Sequence, residues 1–147
     1  MGIARHAIEA LLELAQAKTP TGQTSLLRER AAVQADVARA EALVRAARAF
    51  LFQTIDEVWA DVAAGRGATL EQRALLRLAA VDGAHKAAQA VDLMYNAGGA
   101  TSIYETSPLE RCFRDVHVVT AHIIVQPPVY ELAGRVLLGL PPGTPSF

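Results

Sequence analysis

Apolar residues recur along much of the chain at the three- and four-residue intervals of amphipathic helices. The first such segment spans residues 2–18, and a turn-forming cluster of threonine, proline and glycine follows it at residues 19–22. Its apolar stripe consists of Ile3, Ala7, Ala10, Leu11 and Leu14. The pattern therefore predicts a first helix that buries one face.

The second segment begins near Thr24 or Ser25 and has no proline or glycine until Gly65. It predicts a helix roughly 60 Å long. Because Leu43, Phe50 and Trp59 lie outside its apolar seam, we expect something besides its own chain to cover this helix. The seam itself consists of Val33, Val37, Ala40, Val44, Ala47, Leu51, Ile55, Val58 and Val62.

A capping box formed by Thr69 and Gln72 opens the third predicted helix, which extends to about Asn96. An acidic residue, Asp82, lies on the apolar stripe of this helix and needs a partner if it is buried. The other members of that stripe are Leu75, Leu78, Ala79, Val91 and Met94.

The fourth helix is predicted over Ser107–Gln126. Ser107, Pro108 and Glu110 form a capping box with proline at the first helical position, and the pair at 127–128 ends the helix. The predicted core side carries Leu109, Phe113, Val116, Thr120 and Ile123. The opposite side carries Arg111, Asp115 and His122, beside Val118.

A last short helix spans about Val129 to Leu138 and ends at Gly139, and the tail at residues 140–147 is too rich in proline to be helical. Hydrophobic residues make up 52% of the chain and aromatic residues 5%, with abundant alanine, which suits closely packed helices. The sequence therefore predicts one all-α domain over residues 1–147, an up-down bundle of four main helices with a short fifth.

Composition excludes several classes of function. The formal net charge is −1 and the basic residues are dispersed, so we predict no nucleic-acid partner. No apolar run reaches the roughly 20 residues of a membrane span. The single cysteine fits a reducing compartment, and Met1 leads directly into an amphipathic segment, so we expect a cytoplasmic protein without a signal peptide. Because its first residues are already helical core, we expect the chain to be the tail of a longer protein.

The chemistry-bearing residues have simple structural interpretations as well. His117 and His122 are five residues apart, about 140° around the helix predicted here, so they do not share an ion and we predict no metal. The Gly98-Gly99 pair follows a helix and is typical of a C-cap and loop. Arg111 and Asp115 form an i,i+4 pair. Cys112 is expected to be an inert packing residue.

Four stretches together carry a family resemblance: AGG at 97–99, LERCFRD at 109–115, the histidine at 122, and ELAGRVLLG at 131–139. With them the chain resembles the C-terminal helical domain of the acyl-CoA dehydrogenase fold. Within that fold it is most similar to the two-component flavin-dependent monooxygenases. The resemblance covers essentially the whole chain but only the last third of a typical family member.

The resemblance implies a flavin cofactor, FMN or FAD, with Gly98, Gly99 and Arg114 as the residues that contact it. In the dehydrogenases a glutamine precedes the two glycines, and here Tyr95 occupies its place. The dehydrogenases also carry a catalytic glutamate about eight residues after the Arg-Asp pair, where this chain reads Ala-His-Ile at 121–123. The monooxygenase relatives carry a histidine at the position that matches His122, which the resemblance makes the catalytic residue.

We therefore predict the C-terminal domain of a flavin-dependent oxidoreductase, a two-component aromatic hydroxylase or monooxygenase that uses reduced flavin and O2. This domain would contribute oligomer contacts and one wall of the flavin site. The alternatives are an acyl-CoA dehydrogenase C-terminal domain and a non-catalytic helical oligomerisation module. The resemblance implies a homo-oligomer, dimer or tetramer, and a flavin reductase that supplies reduced flavin. Alone, the chain is expected to bind flavin weakly or not at all and to be inactive, because it has no glycine-rich phosphate cradle.

Overall fold

A computed structural model describes residues 1–144 of the chain. Within that range there are five α-helices and no strand, so the predicted all-α class is confirmed. None of these helices is long and apolar enough to cross a membrane. The helices are α1 (Gly2–Ala17), α2 (Ala31–Ala63), α3 (Leu70–Gly98), α4 (Pro108–Thr120) and α5 (Pro128–Leu137). Short 3-10 turns at Leu27–Glu29, Gly99–Ile103 and Ile123–Val125 lie between them.

The third helix, α3, packs against each of the other four helices. Small side chains let its neighbours approach closely, and alanine and glycine fill much of its buried surface. These small buried residues are Ala74, Ala79, Gly83, Ala87, Ala88, Ala90 and Gly98. Larger residues complete the core where α1, α3 and α4 meet, and Ile8, Leu11, Met94, Leu109 and Val116 are fully buried there. Each such side chain contributes about 1.5–3 kcal/mol through removal from water.

An ion pair reinforces the contact of α1 with α2. The guanidinium of Arg5 lies 2.7 Å from a carboxylate oxygen of Glu41. Hydrogen bonding from Arg5 holds the pKa of the Glu41 carboxyl below its ordinary value, against a smaller opposing effect of burial. Both side chains are partly exposed, so the pair directs the register of the two helices more than it adds stability.

The second helix begins later than the sequence pattern predicts, at Ala31 rather than near Thr24 or Ser25. Leu27 is buried in the core, and its N–H donates to the carbonyl of Lys18 at 2.8 Å. These tertiary contacts place Leu27 in a 3-10 turn, and the extended backbone of Arg30 separates the turn from the helix. At 33 residues, α2 is therefore about 50 Å long rather than 60 Å.

Burial along α2 is uneven. Val33, Ala40, Val44 and Ala47 of the predicted seam are buried. Towards the C-terminus the pattern continues, but the side chains are exposed, and Trp59 shows 70% of its surface. This half of α2 offers an apolar face that residues 1–144 leave uncovered, formed by Phe52, Ile55, Trp59 and Val62.

The start of α3 follows its local sequence. The Thr69 hydroxyl accepts from the N–H of Gln72 at 3.1 Å, and the Gln72 side chain accepts from the N–H of Thr69 at 2.9 Å. The predicted capping box is therefore confirmed, and the helix continues two residues beyond Asn96. Asp82, on its stripe, has the partner it needs, because Lys86 lies 2.8 Å away.

The fourth helix differs from the prediction at both ends. Ser107 caps it and Pro108 takes the first helical position, as predicted, but Glu110 does not complete a capping box and instead pairs with Arg114 at 3.4 Å. The helix ends at Thr120, not at Gln126. Gln126 precedes a proline and is extended, which excludes a helix that reaches it.

His122 therefore does not lie on α4, and the prediction that it projects from a helix face is wrong. It is extended and caps the 3-10 turn Ile123–Val125. The assignment of Thr120 and Ile123 to a buried side is wrong as well, since Ile123 is 80% exposed and Thr120 is half-buried. The residues of α4 that face the core are Leu109, Cys112 and Val116, with Phe113 partly buried beside them.

The last helix agrees with the prediction to within one residue at either end. Gly139 follows its C-cap with φ 75°, a left-handed conformation that favours glycine. Residues 140–144 are not helical, as predicted from their prolines. The rest of the predicted non-helical tail, residues 145–147, lies outside the described residues.

We predict that Gly98→Ala destabilises the protein. An added Cβ would overlap the Ser102 Oγ and lie 2.7 Å from Leu109 Cδ1, inside a packed core. Such overpacking costs about 1–3 kcal/mol. Urea denaturation followed by circular dichroism measures the effect.

Gly134→Ala is the matched control for this substitution. Gly134 lies within α5, and its added Cβ meets nothing within 4 Å. Alanine should then stabilise the helix by up to about 1 kcal/mol. Equal urea midpoints for the two variants would contradict the packing role of Gly98.

Candidate functional site

The four predicted site residues are spread along α4 rather than gathered in one cluster. Gly98 packs against Leu109 near the start of α4, Arg114 lies midway along it, and His122 lies just beyond its end. A helix of 13 residues is about 20 Å long. Any one ligand that touches all of them must extend along the whole helix.

The two glycines have different surroundings. Gly98 is buried against Ser102 and Leu109, so close packing explains this glycine without a ligand. Gly99 is exposed and has φ +58°, a conformation that L side chains rarely adopt. The interpretation of the pair as a helix C-cap and loop is confirmed. Contact with a flavin stays a prediction, and of the two only Gly99 offers open backbone.

Lys18 fixes this glycine loop, and the sequence analysis did not identify it. Its ammonium donates to the carbonyl of Gly98 and, at 2.7 Å, to the hydroxyl of Thr101. An ammonium group has three donors, so one remains for another acceptor beside Gly99. Its partners lie 80 and 83 residues away in the sequence, and a lysine at the end of a helix is ordinary, so no local pattern indicates this role.

The polar residues of α4 face two different environments. The guanidinium of Arg114 pairs with Glu110. Because its side chain is still 63% exposed, the guanidinium can also contact a ligand. Arg111 and Asp115 form the predicted pair at 3.5 Å. They border the start of α1, where they line a depression of about 310 Å³ with Gly2, Ile3, His6 and Cys112.

Cys112 is buried on the core side of α4 and has no disulfide partner. Burial raises the pKa of its thiol, and the negative charge of Asp115 raises it further, against a smaller opposing effect of Arg111. The thiolate is therefore disfavoured where a nucleophile would need it. The prediction of an inert packing residue agrees with this environment.

His117 joins α4 to α3. Its Nε2 lies 2.9 Å from a carboxylate oxygen of Asp92, and its ring meets the edge of Phe113 with centroids 4.5 Å apart. Phe113 of α4 in turn stacks on Tyr95 of α3, with ring centroids 4.4 Å apart. Tyr95, which occupies the place of the family's glutamine, therefore packs between α3 and α4. His117 is accordingly a structural residue.

An apolar groove of about 640 Å³ lies between α2 and α3. Small residues of α2 form one wall, and Asp92, the partner of His117, lies at its border. None of the predicted site residues lines it. Its lining consists of Arg39, Ala42, Leu43, Ala46, Gln89, Asp92, Leu93 and Asn96.

His122 stands on an exposed turn between α4 and α5. Its Nδ1 accepts a hydrogen bond from the N–H of Ile124 at 3.3 Å. The flanking side chains are apolar and open, with Ile123 80% and Ile124 66% exposed. The imidazole is thus accessible and surrounded by apolar surface. Across residues 1–144, no three histidine, cysteine or carboxylate side chains gather as a metal site would require.

The chain is similar in sequence to a known domain family and to several flavin-dependent monooxygenases. The family model described as acyl-CoA dehydrogenase, C-terminal domain, matches residues 1–127. Indole-3-acetate monooxygenase of Pseudomonas putida is 37% identical over 142 residues, which are 97% of this chain and 36% of that protein. The oxygenase subunit HsaA of a flavin-dependent monooxygenase from Mycobacterium tuberculosis is 31% identical over 108 residues, 73% of this chain and 27% of that one.

The crystal structure of the HsaA monooxygenase from M. tuberculosis superposes with a TM-score of 0.85 at 26% sequence identity. The match covers 97% of this chain and 36% of that one. The chain thus spans about a third of the length of the proteins it resembles. The predicted resemblance, to the C-terminal helical domain and to its monooxygenase branch, is confirmed by these similarities.

We predict that Cys112 reacts slowly with iodoacetamide in the folded protein. Cys112 is 4% exposed and the pKa of its thiol is raised, so both access and thiolate content are low. Alkylation at pH 8 should be more than about tenfold slower than in urea. Because the chain has one cysteine, mass spectrometry reads this site alone. Equal rates in buffer and urea would show an open, reactive thiol.

Proposed function

The chain belongs to the acyl-CoA dehydrogenase C-terminal domain family, and from this we propose that it is the C-terminal domain of a flavin-dependent aromatic monooxygenase. The enzyme would be the oxygenase of a two-component system that uses reduced flavin and O2. Support comes from indole-3-acetate monooxygenase, which aligns with 97% of the chain, and from HsaA, named an oxygenase subunit.

The observation that carries this proposal is the turn after α4. It presents the imidazole of His122 and, across residues 121–126, no carboxylate. Removal of an α-proton from a thioester needs a carboxylate-type base, so this turn favours oxygenation over acyl-CoA dehydrogenation.

The contacts of His122 indicate how it acts. Because Nδ1 accepts from the N–H of Ile124, the neutral ring carries its hydrogen on Nε2. The imidazole then donates a hydrogen bond from Nε2 to an oxygen atom of the cofactor or the substrate. In this tautomer it does not take a proton at that atom, so the neutral imidazole of His122 acts there as a hydrogen-bond donor.

A flavin, FMN or FAD, fits the exposed residues of the chain in part. The bare backbone of Gly99, the remaining donor of Lys18 and the open guanidinium of Arg114 suit its anionic phosphate. Reduced flavin would supply the electrons that activate O2. Gly98 is buried, so of the two glycines it is Gly99 that offers open backbone to the flavin. The chain would form one wall of the site, and a separate flavin reductase would provide the reduced cofactor.

A reducing, cytoplasmic setting belongs to the same proposal. The buried thiol of Cys112 has no disulfide partner. Free thiols of this kind persist where glutathione and thioredoxin keep cysteine reduced.

We predict that His122→Ala in the complete enzyme lowers hydroxylation. Loss of one hydrogen-bond donor to a developing negative charge typically reduces the rate by ~10²–10³. Stability should change little, because the ring is exposed. Product formation per reduced flavin consumed, measured by chromatography, gives the effect.

His117→Ala is the matched control for His122→Ala. Its ring contacts Asp92 and Phe113, so its loss should lower stability by about 1 kcal/mol and leave the hydroxylation yield of the folded enzyme unchanged. Full hydroxylation by His122→Ala, with none by His117→Ala, would mean that the wrong histidine was assigned.

We propose further that the exposed apolar face of α2, formed by Phe52, Ile55, Trp59 and Val62, is covered in a homo-oligomer, a dimer or a tetramer. Trp59→Gln should then shift the protein towards its 15.7 kDa monomer in light scattering at micromolar concentration. Asp56→Asn, three residues earlier on the same helix, is the control and should leave the mass unchanged. A native chain that is already monomeric would rule out this oligomer.

A further inference from the structure

The turn that carries His122 is closed by its own hydrogen bonds. The N–H of Val125 donates to the carbonyl of His122 at 3.0 Å, and the Gln126 side chain donates to the carbonyl of Ala121 at 2.9 Å. With the capping bond from Ile124 to His122, these contacts give the turn a defined shape. They do not fix where the turn stands relative to the bundle.

Apolar packing contributes little to that placement. None of the residues of the 3-10 turn Ile123–Val125 is buried. Ile123 and Ile124 are largely exposed, and Val125 is half-buried. A turn with so little buried surface moves readily unless a polar contact holds it.

His85 of α3 supplies such a contact. Its Nε2 lies 3.1 Å from the carbonyl oxygen of Val125, 40 residues later in the chain. A carbonyl oxygen only accepts, so Nε2 carries the hydrogen whether the ring is neutral or charged. The bond joins α3, the central helix of the bundle, to the last residue of the turn.

The ring of His85 lies against α5. It is half-buried, with its centroid 6.1 Å from that of Tyr130. The Asp82–Lys86 ion pair flanks it in sequence on α3. With Tyr130 beside the ring, Nε2 faces the turn.

We propose that His85 is a positioning residue for His122. Through the hydrogen bond to Val125 it holds the turn 121–126 against α3, so that the His122 imidazole keeps a fixed place and tautomer. The positioning of the turn by His85 concerns the structure of this chain alone. Only its effect on hydroxylation rests on the proposed function.

Two substitutions separate the hydrogen bond from the packing. His85→Gln keeps a donor near the place of Nε2, whereas His85→Leu keeps apolar volume and removes the donor. In His85→Leu, hydrogen exchange at the Ile124 amide should rise about tenfold, the factor that a lost hydrogen bond implies. The ¹⁵N signals of the His122 ring should approach those of a free imidazole. In His85→Gln both should stay close to the native protein.

The Val116 amide is the internal control, since Val116 is buried within α4 and lies outside the turn. Its exchange should be unchanged in both variants. Equal acceleration at Val116 and Ile124 would indicate general destabilisation and overturn the proposal. So would native protection of Ile124 in His85→Leu, or a His85→Gln variant no better than the leucine variant.

Activity of the complete enzyme tests the consequence separately. His85→Leu should lower the yield of hydroxylated product per reduced flavin consumed, and His85→Gln should restore it, with little change in the KM for the aromatic substrate. If the leucine variant loosens the turn but hydroxylation stays native, the positioning stands and the catalytic role of His122 falls. If neither the turn nor the yield responds, His85 has no positioning role.

Discussion

The close approach of four helices to α3 is the constraint on which the rest of the structure depends. It is possible because α3 presents alanine and glycine where its neighbours meet it. The same closeness reaches the end of the helix, where Gly98 leaves room for Ser102 and Leu109. The Ser102 hydroxyl then donates to the carbonyl of Tyr95 at 2.7 Å and folds the loop back onto α3. The packing of the core at Gly98 therefore also determines the shape of the glycine loop.

Both ends of the candidate site are held by side chains distant in sequence. At one end Lys18, at the C-terminus of α1, bonds the carbonyl of Gly98 and the hydroxyl of Thr101, and at the other His85 of α3 bonds the carbonyl of Val125. Both side chains are half-buried. The glycine loop and the turn after α4 thus remain open to a ligand while polar contacts tie them to the bundle, an arrangement that suits a binding surface.

Local chemistry made part of this fold predictable. The capping box at Thr69 and the serine-proline start of α4 need only residues within one helical turn, so the sequence shows them directly. The late start of α2 was missed because burial of Leu27 depends on α1. Lys18 and His85 were missed for the same reason, since their partners lie 80 and 40 residues away. The family resemblance located His122 but not its backbone conformation.

That conformation alters the chemistry open to His122. On a continuous helix the imidazole would have had no backbone partner, because every nearby N–H would bond within the helix. Off the helix, its Nδ1 caps the Ile124 N–H, which assigns the hydrogen of the neutral ring to Nε2. The Pro127-Pro128 pair keeps Gln126 out of a helix, and the chain has already left α4 after Thr120, so the His122 imidazole meets a backbone N–H of the turn. Under the proposed function, this backbone contact decides which ring nitrogen is left to donate to a ligand.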